Sequence, residues 1–194
     1  MAVCHEAHGA GKYHPSPERL PRAAMPRNIE IKARLPSVES ILPQVVALAT
    51  EGPVDIDQDD TFFRCASGRL KLRTFSAESG ELIFYRRSDE AGPKESFYVR
   101  TPTSNPSGLR ECLTLACGQV GRVVKRRTLF MVSRTRVHLD RVEGLGHFLE
   151  LEVVLGEDEP AEAGMREAHR LMDRLGVEAS QLVDTAYVDL LPRA

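Results

Sequence analysis

Long charged side chains recur at every second position in several short runs of this chain, which places them on one face of an extended backbone. Between Asn28 and Leu35, Asn28, Glu30, Lys32 and Arg34 alternate with Ile29, Ile31, Ala33 and Leu35. Arg69, Lys71 and Arg73 share a face against Leu70 and Leu72, and Lys125 and Arg127 share one against Val124, Arg126 and Thr128. Arg134, Arg136, His138 and Asp140 form a fourth such row, and Glu150 with Glu152 a fifth. Two readings of these rows are open: side chains that face water, or the lining of one enclosed site. Cations crowded on neighbouring strands repel one another unless an anion neutralises them. A triphosphate carries roughly four negative charges near neutral pH, and Arg forks match its oxygens. Carboxylates do not bind phosphate directly, but Mg²⁺ or Mn²⁺ can sit between the two, because these ions prefer hard oxygen ligands. Acids and bases on one face therefore fit a metal-triphosphate complex better than either partner alone.

The elements that must position these groups are mostly strands. After the run at Asn28–Leu35, polar alternation returns over 55–64, 69–74, 81–88 and 95–101, with Ser67-Gly68, Ser79-Gly80 and Ala91-Gly92-Pro93 between the runs as turns of meandering hairpins. Three more strands are expected over 120–132, 134–142 and 148–155, the last two joined at Glu143-Gly144-Leu145-Gly146. Helical spacing of apolar residues predicts helices over 38–50 with Ser37 as N-cap, over 109–117 ending at Gly118, and over 161–175 stopped by Gly176. If a sheet of about eight such strands closes on itself, Glu30 on the first comes to lie beside Glu150 and Glu152 on the last.

At 194 residues, with 42% hydrophobic and 28% charged residues, the chain suits one domain. A net charge of −2 argues against a surface that is wholly a footprint for a nucleic-acid polymer or a membrane, so any basic site must be local. Cys4, Cys65, Cys112 and Cys117 lack metal-ligand spacing and read as reduced thiols. There is no apolar run of membrane-spanning length and no apolar core of a secretory signal, so the expectation is a cytoplasmic protein, a monomer or homodimer acting on a small molecule. Residues 1–26, with His5, His8, His14 and little apolar content, read as a flexible extension, leaving 27–194 as the folded domain.

In their order and spacing these residues resemble the CYTH superfamily, also called triphosphate tunnel metalloenzymes, which includes class IV adenylyl cyclases, thiamine triphosphatases and inorganic triphosphatases. The family's opening ExExK signature stands here as Asn28-Ile29-Glu30-Ile31-Lys32, with Asn in place of the first acid. Further matches are Asp60-Thr61-Phe62-Phe63, Arg69 to Arg73, Tyr85 with Arg87, Lys125 with Arg127, Arg136 with Asp140, and Gly144-Leu145-Gly146. Phe148 with Glu150 and Glu152, and the terminal Tyr187-Val188-Asp189-Leu190-Leu191, complete the set, so that the likeness covers 27–191. The resemblance implies an α+β fold, an eight-stranded antiparallel closed barrel with helices packed outside. It implies Glu30, Asp140, Glu150 and Glu152 around Mg²⁺ or Mn²⁺. It implies Lys32, Arg34, Lys71, Arg73, Arg87, Lys125, Arg127 and Arg136 around a triphosphate, with Lys32, Arg73 and Arg136 in the catalytic step.

Two departures bear on activity. Asn28 offers an amide oxygen but removes a charge from the metal site, and Ile83 stands where the thiamine triphosphatase branch has a lysine that helps activate water. The Glu81 to Tyr85 segment is more similar to the branch grouped with class IV adenylyl cyclases, which makes a thiamine-specific hydrolase the least favoured option. Three functions follow from the resemblance: metal-dependent hydrolysis of an inorganic or nucleoside triphosphate, cyclisation of ATP to cyclic AMP and pyrophosphate, or binding of polyphosphate or nucleotide without turnover.

Overall fold

The alternation after Arg27 folds as strand β1 (Arg27–Leu35), whose apolar Ile29, Ile31 and Ala33 are almost fully buried. The structure is a computed structural model that describes residues 27–87 and 92–192; the extension read at 1–26 lies outside the described residues. The chain continues through α1 (Leu42–Leu48), β2 (Glu51–Phe63), β3 (Arg69–Ser76), β4 (Ser79–Arg87) and β5 (Lys94–Thr103). Then follow α2 (Pro106–Cys117), β6 (Gln119–Val132), β7 (Thr135–Val142), β8 (Gly146–Val154), α3 (Ala161–Leu175) and the short α4 (Tyr187–Leu190).

All eight strands pair antiparallel in the order β1-β5-β4-β3-β2-β6-β7-β8, and β8 pairs back onto β1 to close the barrel. In that last pair Glu30 lies opposite Glu152, and Lys32 opposite Glu150. The two chemically distinct faces of β1, β7 and β8 dictate what lies where. Ile31, Val137, Leu139, Leu149 and Leu151 point outward and pack with Val45 of α1 and with Ala168, Leu171 and Met172 of α3 in the main hydrophobic core. The helices thus cover the apolar outside of these strands, which leaves the charged parity for the inside. A smaller apolar cluster of Phe62, Val123, Val142, Phe148 and Tyr187 floors one end of the interior.

Element ends differ from the sequence reading for local reasons. Ser37 does not cap a helix: its hydroxyl accepts from the Ser40 N–H in a separate turn, and α1 begins only at Leu42. Asn105 accepts from the Gly108 N–H and Pro106 takes the first turn, so α2 starts earlier than expected. Strand β2 reaches back to Glu51 because its pairing with β6 extends to Met131. Cys65, Cys112 and Cys117 are free, and no helix among the described residues is long and apolar enough to cross a membrane.

Helix α3 approaches β1 at Gly164, where an added Cβ would lie 2.6 Å from both Ile29 Cγ1 and Leu155 Cδ2. Ala elsewhere in a helix interior is favoured over Gly. Here overpacking against a buried core wins, and Gly164→Ala is expected to cost about 1–3 kcal/mol, read as a lowered midpoint in urea unfolding.

Candidate functional site

The charged parity converges on one cavity of about 290 Å³ inside the barrel, and every strand contributes to its lining. Among the described residues, seven Lys or Arg and five Asp or Glu line it, a surplus of two positive charges at most. Such groups stay together because two buried aspartates hold them. Asp60 on β2 lies opposite Arg73 on β3, and its carboxylate accepts from Arg73 Nε at 2.7 Å and from Lys71 Nζ at 2.7 Å. Asp140 on β7 lies opposite Arg127 on β6 and accepts from Arg127 Nε at 2.7 Å, Lys125 Nζ at 3.0 Å and the Tyr187 hydroxyl at 3.0 Å. The same device appears twice: a Lys-x-Arg pair on one strand, and an aspartate on the next strand that neutralises and aims it.

The proton affinities follow from this packing. Burial alone would raise Asp60 and Asp140, but Arg73 with Lys71, and Arg127 with Lys125, outweigh it and hold both carboxyls well below the usual range. Lys71 is pushed down to about 7, by burial first and then by Arg73, with Asp60 only partly compensating. Burial and Arg127 likewise lower Lys125.

The acids gather on the opposite wall. Glu150 faces Lys32 Nζ at 3.4 Å and pairs with Arg127, while Glu152 accepts from Arg136 Nε at 2.8 Å. Burial would raise Glu152, yet His138, Arg136 and Arg127 bring it down to about 2. Ligand atoms of His138, Glu150 and Glu152 lie within 4.8 Å of one another, the spacing of a group able to hold a metal ion, and Glu30 faces Glu152 across the strand pair. A divalent cation also fits the unsatisfied polar atoms of the cavity lining. Asn28 Oδ1, Gln58 Oε1, Ser96 Oγ and His138 Nδ1 are buried without a hydrogen-bond partner, and all four residues line this cavity.

Of the residues singled out in the sequence, Lys32, Lys71, Arg73, Lys125, Arg127 and Arg136 line the cavity together with Glu30, Glu150 and Glu152. Arg34 does not. One step along β1 from Lys32, it lies opposite Phe148 in register, stacks on that ring at 4.7 Å and donates to the Leu145 carbonyl, beyond the Phe148–Tyr187 floor. Asp140 is fully buried behind the lining, where its oxygens accept from Lys125, Arg127 and Tyr187. Arg87 ends β4, and its side chain lies outside the described residues.

Sequence reasoning missed the inner face of β5, where Ser96, Tyr98 and Arg100 line the cavity. It also missed Lys94, which is buried and donates to the Asp184 carbonyl at 2.8 Å. Their shared parity was the available signal. Phe62 lines the cavity floor, and His138 lines the cavity while only 4% exposed.

This arrangement can be compared with known proteins. The family model described as the CYTH domain matches residues 26–187. The chain belongs to the CYTH domain family. An adenylate cyclase CyaB from Aeromonas hydrophila is 28% identical over 167 residues, covering 82% of this chain and 85% of that one. The PH1012 protein from Pyrococcus horikoshii superposes with a TM-score of 0.76 at 24% identity, over 85% of this chain and 99% of its own. HpAC1 from Hippeastrum, a protein with a dominant triphosphatase activity, superposes with a TM-score of 0.59 at 15% identity, over 86% of this chain and 93% of its own.

The buried aspartate makes a structural demand that is measurable without any substrate. Asp140→Asn leaves Lys125 and Arg127 short of a buried counter-charge and is expected to destabilise the fold by about 3–5 kcal/mol, read from chemical denaturation at neutral pH.

Proposed function

We propose that this CYTH-family chain is a divalent-metal-dependent enzyme that hydrolyses a triphosphate, inorganic or nucleoside-linked, inside its barrel. The observation that carries the reading is the cavity's charge. A lining surplus of two positive charges at most falls short of the roughly four negative charges of a triphosphate, and one divalent cation among the carboxylates supplies the difference. The volume of about 290 Å³ lies just below the roughly 300–1,000 Å³ usual for small-molecule sites. A linear triphosphate suits that volume, with any organic group projecting from the mouth.

In this reading Lys71 and Arg73 grip one stretch of the phosphate chain and Lys125 and Arg127 another, each pair pre-aimed by its aspartate, so little reorganisation is needed when charge shifts during phosphoryl transfer. Lys32 and Arg136 approach from the acidic wall, and Arg34, cut off by the floor, takes no part. Glu30, Glu150 and Glu152 hold the metal, which when bound neutralises phosphoryl oxygens. Asp140 acts through Lys125 and Arg127 rather than as a ligand. The barrel wall excludes bulk water and admits the attacking water with the substrate. Ile83, apolar and 6% exposed on the cavity wall, does not activate that water as a lysine would.

A second reading, cyclisation of ATP, is favoured by the likeness to adenylate cyclase CyaB and by the aromatic rings of Phe75 and Tyr98 in the lining, which offer a base something to stack on. A panel of tripolyphosphate, ATP and other nucleoside triphosphates with Mg²⁺ or Mn²⁺ separates the options. Orthophosphate release is the expected result, and pyrophosphate with cyclic AMP would replace hydrolysis by cyclisation. Metal-dependent binding with every ligand recovered intact would reduce the protein to a sensor. Glu150→Gln and Arg73→Ala are each expected to lower kcat/KM by about 10²-fold or more.

Proton linkage gives an independent check. Lys71 carries fewer protons in the empty fold than in the unfolded chain between about 7 and its ordinary 10.5, so stability without ligand rises with pH across that window. A bound triphosphate restores the charge, and binding at pH 8 should take up protons. Calorimetry in buffers of different ionisation enthalpy reads this uptake, and Lys71→Met should diminish it.

A further inference from the structure

The acidic wall contains one group that does not belong to a purely oxygen-donor site. His138 is 4% exposed, lines the cavity and presents an Nδ1 that has no hydrogen-bond partner. A buried imidazole nitrogen left unpaired is costly. Every other titratable group facing it has a partner: Glu152 takes Arg136, Glu150 takes Arg127 and Lys32, and Asp140 takes Arg127, Lys125 and Tyr187. Nδ1 stands 3.7 Å from Glu152 Oε1, too far for a hydrogen bond. An ion about 2.1 Å from each of two ligands holds them about 3–4.2 Å apart, and the gap falls in that range.

We infer that His138 is a nitrogen ligand of the metal site, joining Glu150 and Glu152, and that this mixed donor set makes the site hold Mn²⁺ in preference to Mg²⁺. Register supports the geometry, since His138 lies directly opposite Glu150 across the β7–β8 pair, with Arg136 opposite Glu152 one step along. Mn²⁺, although it too accepts carboxylates, exchanges a water for an imidazole nitrogen more readily than Mg²⁺, which favours oxygen and keeps its waters.

The inference rests on the metal-triphosphate reading but is tested apart from turnover. Mn²⁺ is titrated into the protein without phosphate, the free ion is followed by electron paramagnetic resonance, and the bound ion by pulsed measurement of nitrogen coupling. The expected result is bound Mn²⁺ coupled to ¹⁴N, replaced by ¹⁵N coupling when the unmodified protein is made with ¹⁵N-histidine. His138→Gln should remove the coupling and raise the Mn²⁺ dissociation constant about tenfold, with a smaller change for competing Mg²⁺. Bound Mn²⁺ without nitrogen coupling, or coupling that survives in His138→Gln, overturns the ligand assignment and leaves the hydrolase reading standing. Absence of Mn²⁺ binding with and without tripolyphosphate overturns both, whereas nitrogen-coupled Mn²⁺ in a protein that turns nothing over upholds the ligand and removes the hydrolase.

Discussion

Like charges packed a few ångströms apart inside a barrel would drive it open, and the ion pairing that prevents this governs the rest of the structure. Asp60 and Asp140 each sit on the strand beside a Lys-x-Arg pair and face its arginine in register. Each aspartate offsets the repulsion within its pair and fixes the direction of the cationic groups. Neither aspartate could do this from an exposed position, because solvent screening would reduce the attraction to that of an ordinary surface pair. Burial therefore serves the site even though it carries a desolvation cost for every ion involved.

This pairing also explains the inside-out distribution of polarity. Most domains place apolar side chains in the middle, whereas here the middle is charged and the hydrophobic core lies between the barrel's outer wall and the helices α1 and α3. The apolar floor of Phe62, Val123, Val142, Phe148 and Tyr187 is the exception, and it separates the cavity from the end where Arg34 sits. Tyr187 connects the two regimes: its ring packs against Phe148 while its hydroxyl donates to Asp140 and Lys32 lies over its face at 4.1 Å.

Much of this was legible in the sequence because a barrel strand has a strict two-residue period. Glu30, Lys32, Lys71, Arg73, Lys125, Arg127, Glu150 and Glu152 announced their shared side by alternation, and the position of the acids on the first and last strands made sense only if the sheet closed. Parity alone, however, does not say how far along a strand the cavity extends. Arg34 has the right parity and the wrong depth, and Asp140 has the right parity but is claimed by the cations beside it. Strand β5 was underread because Ser96 and Tyr98 carry no charge, although they occupy the same face as Arg100. The near-complete enclosure of His138 was not legible, because burial is a property of the closed barrel rather than of any local pattern.

The closing seam has a consequence for how the molecule comes into being. Glu30 meets Glu152, and Lys32 meets Glu150, only when the first strand pairs with the eighth, and the backbone of 184–185 is then held by Lys94 and Lys32. Contacts so distant along the chain form late and slowly. A nascent polypeptide that has emerged only through its sixth strand carries the cationic half of the chemistry with none of the β8 carboxylates, a basic surface open to any polyanion in reach. Ligand selectivity is thus acquired at the final act of folding rather than accumulated strand by strand.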